Sequence, residues 1–339
     1  MPQLDFDTIN LGHGSGGTLT SRLLDAGVFN LFSNEILNKK YDGASFTLCG
    51  KMAMSTDSYV VSPIFFEGGS IGDLAVNGTV NDLAMCGASA KYLSLSFILE
   101  EGLKMDEFWE VLVSIKNACD EADVIIVTGD TKVVERGKGD KIFINTSGIG
   151  LVHPRAQLDM DGIKPGDKII LSGPLARHGI TIMSHREGLQ FETTISSDTR
   201  SLKEIITELL EEFGESIHLL RDPTRGGLAT VLKEIALQAS LGVDIVQRAI
   251  PVEEEVSGAC EMLGLDPIYV ANEGLFVAIV DETVANEILY MLKDWEHGAM
   301  ASIIGEISAD HPGEVIMTST IGGRRVVNML SGEQLPRIC

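Results

Sequence analysis

Short apolar runs of strand length alternate along this chain with segments whose apolar residues recur at helical spacing, and that alternation restricts it to sheets covered by helices. The stretch 51–61 reads as a strand and 90–99 as another; between them 72–87 reads as a helix with Val76, Val80 and Leu83 as its buried stripe. A second helix over 106–122 collects Phe108, Leu112, Ile115, Cys119 and Ala122 on one face, which makes Cys119 a core thiol. Apolar 124–127 predicts a buried strand ending at Thr128-Gly129-Asp130, and 141–150 predicts a further one. The second half repeats the mixture without repeating the sequence, with strands expected at 168–172, 274–280, 301–307 and 314–318. Helices are expected from Gly173 through His185 and over 226–240, the latter turning Leu228, Val231, Leu232 and Ile235 inward. The fold class is therefore α+β, with mixed sheets covered by helices.

A chain of 339 residues exceeds what one core ordinarily supports, so two domains are expected. The polar stretch bracketed by Val152-His153-Pro154 and Lys164-Pro165-Gly166-Asp167 divides them, giving domains at 1–157 and 158–330 and a tail at 331–339. No apolar run approaches the length of a membrane span and the N-terminus lacks a basic flank, so a cytoplasmic protein is expected. The net charge of −23 argues against nucleic acid and against anionic membrane as partners. Much of the acid lies in helical stretches such as 204–215 and Glu253-Glu254-Glu255, which read as solvated faces. The five cysteines are odd in number and without CxxC spacing, so neither a disulfide framework nor a zinc site is expected. Cys49, Cys86 and Cys260 stand among small or apolar residues and read as packing, whereas Cys339 ends the chain, where a thiol has access by default.

Gly12-His13-Gly14-Ser15-Gly16-Gly17 satisfies GxGxxG, but the polar segment before it is unsuited to a central strand, and a dinucleotide-binding unit is rejected. Two readings stay open for this segment: backbone N–H groups folding over phosphates, or an arm with no ligand. No GxxxxGK[ST] sequence is present, which excludes a P-loop. The aspartates are more informative. Asp57, Asp82, Asp130 and Asp222, with Asp42 as a weaker fifth, stand beside apolar strands and Gly-bearing turns, where solubilising charge has no purpose. An all-carboxylate set suits Mg²⁺ together with substrate phosphates.

Five motifs carry a resemblance: Ser55-Thr56-Asp57-Ser58, Asn81-Asp82-Leu83-Ala84-Met85-Cys86-Gly87, Thr128-Gly129-Asp130-Thr131-Lys132, Asp222-Pro223-Thr224-Arg225-Gly226-Gly227 and Ala271-Asn272-Glu273-Gly274. In this order they resemble those of the aminoimidazole-ribonucleotide-synthetase-like (PurM-like) ATP enzymes. With the Pro336-Arg337-Ile338-Cys339 terminus, the chain resembles the HypE family, the carbamoyl dehydratases of hydrogenase maturation. The resemblance runs from His13 to Cys339 and departs at Leu275, where the family ordinarily has Lys.

What the resemblance implies is ATP-dependent dehydration of a carbamoyl thioester on Cys339 to a thiocyanate, the source of the cyanide ligand in nickel-iron hydrogenases. It implies that Asp57, Asp82, Asp130 and Asp222, with Asp42, hold Mg²⁺. ATP contacts are implied for His13, Gly14, Gly16, Gly17, Asn81, Gly129, Thr131 and Arg225. Lys132 would stabilise the transferring phosphoryl group and Glu273 would act as base, in a setting able to raise its pKa. The implied partners are a HypF carbamoyltransferase, a HypC–HypD iron scaffold and a second copy joined through the N-terminal domain. A sister ATP enzyme such as selenophosphate synthase is one alternative, although residues 12–17 lack the Cys or selenocysteine usual there. A non-catalytic carrier of the modified terminus is the other.

Overall fold

A computed structural model describes residues 6–188, 195–330, Gly332 and Ile338. Pro336, Arg337 and Cys339 lie outside the described residues.

The first sheet has four strands: β1 (Met52–Tyr59), β4 (Ala88–Glu100), β5 (Ile125–Val134) and β6 (Ile142–Val152), in the order β1-β6-β4-β5. A two-residue pair, β2 (Phe65–Phe66) and β3 (Gly69–Ser70), lies between β1 and the helix that follows. One face of the sheet is covered by α2 (Ile71–Met85) and α3 (Met105–Glu121), and the six-residue α1 (Thr18–Leu23) precedes them. Ser70 caps α2 by accepting from the Gly72 N–H at 3.0 Å. The stripe Val76, Val80 and Leu83 is wholly buried, and Cys119 is a core residue as its spacing required.

The opposite face of this sheet leaves large apolar side chains exposed among the described residues, with Phe46 resting on Tyr92 at 4.4 Å between ring centres. Strand alternation turns Met52 and Met54 of β1 and Ile98 of β4 to this face, where they are 53%, 68% and 43% exposed. Met54 pairs with Ile149, Ile149 with Tyr92 and Tyr92 with Ile125, a continuous apolar row across all four strands. Two polar rows follow it on the same face, first Thr56, Ser147, Ser94 and Thr128, then Ser58, Asn145, Ser96 and Asp130.

The second sheet has seven strands in the order β13-β12-β9-β11-β7-β10-β8: β7 (Lys168–Leu171), β8 (Ile217–Arg221), β9 (Gly242–Val246), β10 (Val277–Val280), β11 (Ser302–Ser308), β12 (Val315–Thr318) and β13 (Arg324–Val327). Its pairings are antiparallel except β9 with β12. The helices α4 (Arg177–Glu187), α5 (Lys203–Phe213), α6 (Gly227–Ala239), α7 (Glu254–Leu263) and α8 (Ala285–Asp294) complete this half. Leu228, Val231, Leu232 and Ile235 of α6 are buried. Ala84 and Met85, at the end of α2, join an apolar cluster with Ile170, Leu202, Leu209 and Phe276, so the two halves share packed interior.

Three expectations are corrected. Asp130 sits within β5 instead of in a turn after it, because the polar residues of its motif alternate faces and continue the ladder, whereas Asp57 lies within β1 as the strand read over 51–61 implied. Cys49 and Cys86 are exposed, while Cys260 is buried as expected. The strand foreseen at 274–280 begins at Val277, since the preceding residues form loop contacts described below.

Candidate active site

Four segments meet between the two sheets: β1 with Asp57, the last turn of α2 with Asp82, the turn after β8 with Asp222, and the loop before β10 with Glu273. Burial pushes the Asp82 carboxyl above its ordinary range. The charge of Asp57 adds to this, while a 2.6 Å hydrogen bond donated by Ser55 and the charges of Arg225 and Arg221 oppose it. Asp222 is pushed up to about 6, first by burial and then by the charge of Asp82, with Asp57 contributing and Arg221 opposing. Asp82 also stands at the negative end of a helix, which disfavours its ionised form further. Arg221 is engaged with Glu234 at 2.7 Å, and Arg225 is exposed in the turn. The cluster thus carries negative charge that its own cations do not neutralise.

Hard oxygen donors whose ionisation is penalised fit a divalent cation such as Mg²⁺, which keeps water and substrate phosphates in its remaining positions. Their spacing is open. Among the described residues, the group of metal-ligating side chains that converges within 4.8 Å is a different one, Asp167, His218 and Asp281. There the Lys164 ammonium contacts Asp281 at 2.6 Å and His218 Nδ1 lies 2.7 Å from Asp167, an ion-pair network with its own positive charge.

Glu273 is buried at 6% exposure, and its loop is held from two sides. The Asp198 carboxylate accepts from the backbone N–H groups of Glu273, at 3.2 Å, and of Gly274, at 3.0 Å. A Cβ on Gly274 would fall 1.7 Å from the Asp198 carbonyl oxygen, so this close approach requires glycine. Asn81 of α2 donates to the carbonyls of Arg200, at 3.0 Å, and Glu273, at 3.3 Å, and accepts from the Leu202 N–H at 2.8 Å. Asn81, expected at the nucleotide, bridges the two halves through these bonds. Asn272 accepts from the Ala176 N–H and donates to the Pro223 carbonyl, tying the Glu273 loop to the Asp222 turn. Leu275 is buried in the second core, where a lysine ammonium would be desolvated.

Asp130 and Lys132 are elsewhere. β5 lies three positions from β1 in the sheet, about 14 Å at about 4.8 Å per strand. Register places Asp130 and Lys132 on the exposed face, with Ser96 and Ile98, whereas Asp57 shares the helix-covered face with buried Thr146. Within one chain Asp130 therefore cannot join Asp57, Asp82 and Asp222 around a single cation, and Lys132 does not face Glu273. The two side chains pair at 2.6 Å and are 61% and 64% exposed; the Lys132 hydrogen bond holds the Asp130 carboxyl below its ordinary range.

A cavity of about 190 Å³ lies along this strand, with Leu24, Val28, Phe29, Leu37 and Phe97 forming apolar wall and Gly14, Gly16, Gly129, Asp130, Thr131 and Lys132 forming the polar mouth. Gly14 presses on the strand, a Cβ there falling 2.7 Å from the Val133 nitrogen. Gly16 and Gly17 lead into α1. His13 has a different part from the one expected: its Nδ1 accepts from the Asn10 N–H at 3.0 Å, while Asn10 accepts from the Gly12 N–H. It is 4% exposed and burial lowers its pKa, so it closes its own turn as a neutral ring. Asp42 is exposed in the segment leading to β1.

Sequence reasoning missed His178, Ser197 and Asp198, all buried at the Glu273 loop or beside it. The signal was present, since Ser196-Ser197-Asp198 is a polar run with no helical or strand period and His178 precedes a glycine in Arg177-His178-Gly179. His178 Nε2 lies 2.8 Å from the carbonyl oxygen of Ile338, the residue before Cys339. Ile338 is 3% exposed, buried against this part of the structure.

Residues 41–152 match the N-terminal domain of the AIR synthase related proteins and 164–318 match their C-terminal domain. The carbamoyl dehydratase HypE of Bradyrhizobium diazoefficiens is 49% identical over 98% of this chain and 96% of its own length. A crystal structure of the hydrogenase maturation protein HypE in complex with ATP is also 49% identical, with a TM-score of 0.93 over 97% of this chain and 99% of that one. HypE in a crystal structure of the HypE–HypF complex is 42% identical, with a TM-score of 0.80 over 93% and 100% of the two chains. By sequence and architecture together, the chain belongs to the AIR synthase related proteins and, among them, to the HypE family of carbamoyl dehydratases of hydrogenase maturation.

Proposed function

We propose that this enzyme uses ATP to dehydrate a carbamoyl group carried on Cys339 to a thiocyanate, which supplies the cyanide ligand of nickel-iron hydrogenases. The observation that carries the reading is the burial of Ile338, the residue before Cys339, with its carbonyl held by His178, which the Ser197–Asp198 segment links to the loop of buried Glu273. Phosphorylation of the carbamoyl oxygen by ATP converts a poor leaving group into phosphate. Glu273 removes the nitrogen protons, the carbon–oxygen bond breaks toward phosphate, and the nitrile forms on sulfur. Asp57, Asp82 and Asp222 would hold Mg²⁺, which neutralises phosphate charge as the phosphoryl group moves.

ATP would take the cavity along β5, its adenine against Leu24, Val28 and Phe29 and its phosphates toward Gly14, Gly16 and Lys132, all of which line it. The solved HypE–ATP complex makes this nucleotide the natural ligand to test. That cavity and the Glu273 cleft lie at opposite edges of one sheet, and a homodimer supported by the exposed face would bring a second copy's edge to the first. The apolar row Met54, Ile149, Tyr92 and Ile125 is the surface such a pair would cover. On this reading residues 1–157 are the ATP-binding and dimerising domain, 158–330 the second domain and 331–339 the carrier tail. A HypF carbamoyltransferase loads Cys339, as the solved HypE–HypF complex suggests, and a HypC–HypD scaffold receives the product, all in the cytoplasm. Among the described residues no helix is long and apolar enough to cross a membrane.

Intact mass tests this directly. Loading should add about 43 Da, a carbamoyl group replacing the thiol proton, and Mg-ATP should then remove about 18 Da from the C-terminal peptide as ADP appears. ADP release without change on that peptide would mean phosphoryl transfer to a free small molecule, as in a selenophosphate-synthase-like enzyme. Absence of ADP release would mean a carrier.

A further inference from the structure

We infer that His178 is a positioning residue that latches the backbone at Ile338, next to Cys339, and, through the Ser197–Asp198 segment, couples that contact to the backbone of Glu273. The inference rests on the reading that Cys339 carries the reacting group. The ring is fully buried, and both of its nitrogens are engaged: Nε2 at 2.8 Å from the Ile338 carbonyl oxygen, Nδ1 at 2.8 Å from the Ser197 hydroxyl. A carbonyl only accepts, so Nε2 carries the proton and Nδ1 accepts from Ser197 Oγ–H. The carbonyl carbon gripped in this way is the one bonded to the Cys339 nitrogen, so the latch acts on the peptide unit that positions the carrier residue.

The surroundings fix the ring and the tail together. Phe66 packs against the imidazole at 82°, with ring centres 5.5 Å apart, and Ile338 belongs to the same apolar cluster as Phe66, Ile182 and Ala271. Ser197 is itself held, its N–H donating to the Glu67 carbonyl at 2.9 Å and its hydroxyl accepting from the Thr199 N–H at 3.2 Å. The next residue, Asp198, accepts from the N–H groups of Glu273 and Gly274. One short segment therefore touches the tail latch on one side and the loop of the proposed base on the other. When the tail leaves to be loaded, the Nε2 proton loses its acceptor in a buried place, which favours return of the tail.

The test uses the full chain and reads the tail without requiring turnover. In the absence of nucleotide, the rate at which a maleimide labels the C-terminal peptide, measured by peptide mass to separate it from exposed Cys49 and Cys86, reports how often the tail is out. His178→Ala should raise that rate about fivefold, the scale expected for one buried hydrogen bond. It should slow single-turnover dehydration of preloaded enzyme by a similar factor, leaving loading by the transferase undiminished. His178→Gln, which keeps a donor and an acceptor, should return both rates to near wild type, a rescue that a packing role alone would not give. Ile338→Gly removes the apolar anchor that packs in the cluster with Phe66, Ile182 and Ala271 and should raise labelling as well. Unchanged labelling in both His178→Ala and Ile338→Gly, each folded by circular dichroism, would overturn the latch. Raised labelling in an enzyme whose wild type never dehydrates a loaded carbamoyl would keep the latch and sink the carbamoyl reading.

Discussion

The two edges of the first sheet hold carboxylates of the same kind in opposite electrostatic states. At β5, Asp130 has Lys132 beside it in water, and the pair satisfies itself. At β1, Asp57, Asp82 and Asp222 are gathered where burial and mutual repulsion push Asp82 and Asp222 up, and their nearest cations are engaged with Glu234 or exposed. A structural ion pair needs nothing further. A desolvated acidic cluster without a matching cation is unstable until something positive arrives, and such clusters mark functional sites more often than packing does. The difference separates the place where a cation is needed from the place where a nucleotide phosphate meets an existing ammonium.

The largest effect should come from the buried side. Glu273→Gln keeps the size of the side chain and the Asp198 contacts, which are made by backbone, but removes the base. Dehydration should fall by about 10²- to 10⁴-fold while loading proceeds, so that the species heavier by about 43 Da accumulates. Wild-type turnover in this variant would place the base elsewhere and remove the reason for treating the two edges differently.

Breaking the proposed pairing of copies tests whether the edges cooperate. Met54→Glu puts a charge into the apolar row of the exposed face, where the side chain is 68% exposed, so the single chain should fold. Light scattering should then give a mass near 36.5 kDa instead of twice that, and dehydration should fall with the dimer. Full activity at the monomer mass would mean that one chain suffices.

The cleft should also show itself in pH dependence. Asp222 is raised from 3.8 to about 6, so between those values the folded chain binds more protons than the unfolded one, and stability falls as pH rises through that window. Above pH 6 the full cost applies, about 3 kcal/mol by the shift alone and about 1–2 kcal/mol after allowing for partial exposure. Asp222→Asn should therefore raise the apo melting temperature at pH 7 and leave it nearly unchanged at pH 4. Binding of Mg²⁺ should weaken as pH drops below about 6, with protons released on binding, which calorimetry in two buffers of different ionisation enthalpy measures. Proton-neutral binding at pH 6 would remove Asp222 from the cation site.

Much of this was legible in the chain. The 3.6-residue stripe of α2 and the face of α3 located the first half, and the ordered motifs located Asp57, Asp82, Asp222 and Glu273. What the sequence concealed was which face of a strand each acid occupies. The residues Thr128–Lys132 read locally as a turn because they are small and polar, yet they continue a strand. Only the register against β6 and β4 shows Asp57 turned toward α2 and Asp130 turned away. The period of two makes a single position decide the face. Asn81 and His13 show a related point: a polar residue in a functional motif can satisfy backbone groups, here of Arg200 and Glu273 across long range or of nearby Asn10, and motif spacing alone does not show it. His178 and Asp198 belong to no motif used in the reading, and their roles depend on partners 75 or more residues away.

The smallest structural effect should be at β5, and there its smallness is informative. Lys132→Ala removes one partner of a pair more than half exposed on both sides, so stability should change by no more than about 0.5 kcal/mol, and less in 0.5 M salt than in dilute buffer. If the ammonium serves only Asp130, ATP handling should be untouched. If it meets phosphates at the mouth of the β5 cavity, the variant should load normally but show a raised KM for ATP and slowed dehydration at unchanged melting temperature. The second outcome is the expected one, because the cavity places Lys132 with the Gly14 and Gly16 segment rather than with Glu273. A large drop in melting temperature would instead make the pair structural, and the contrast between the two edges would then be one of degree.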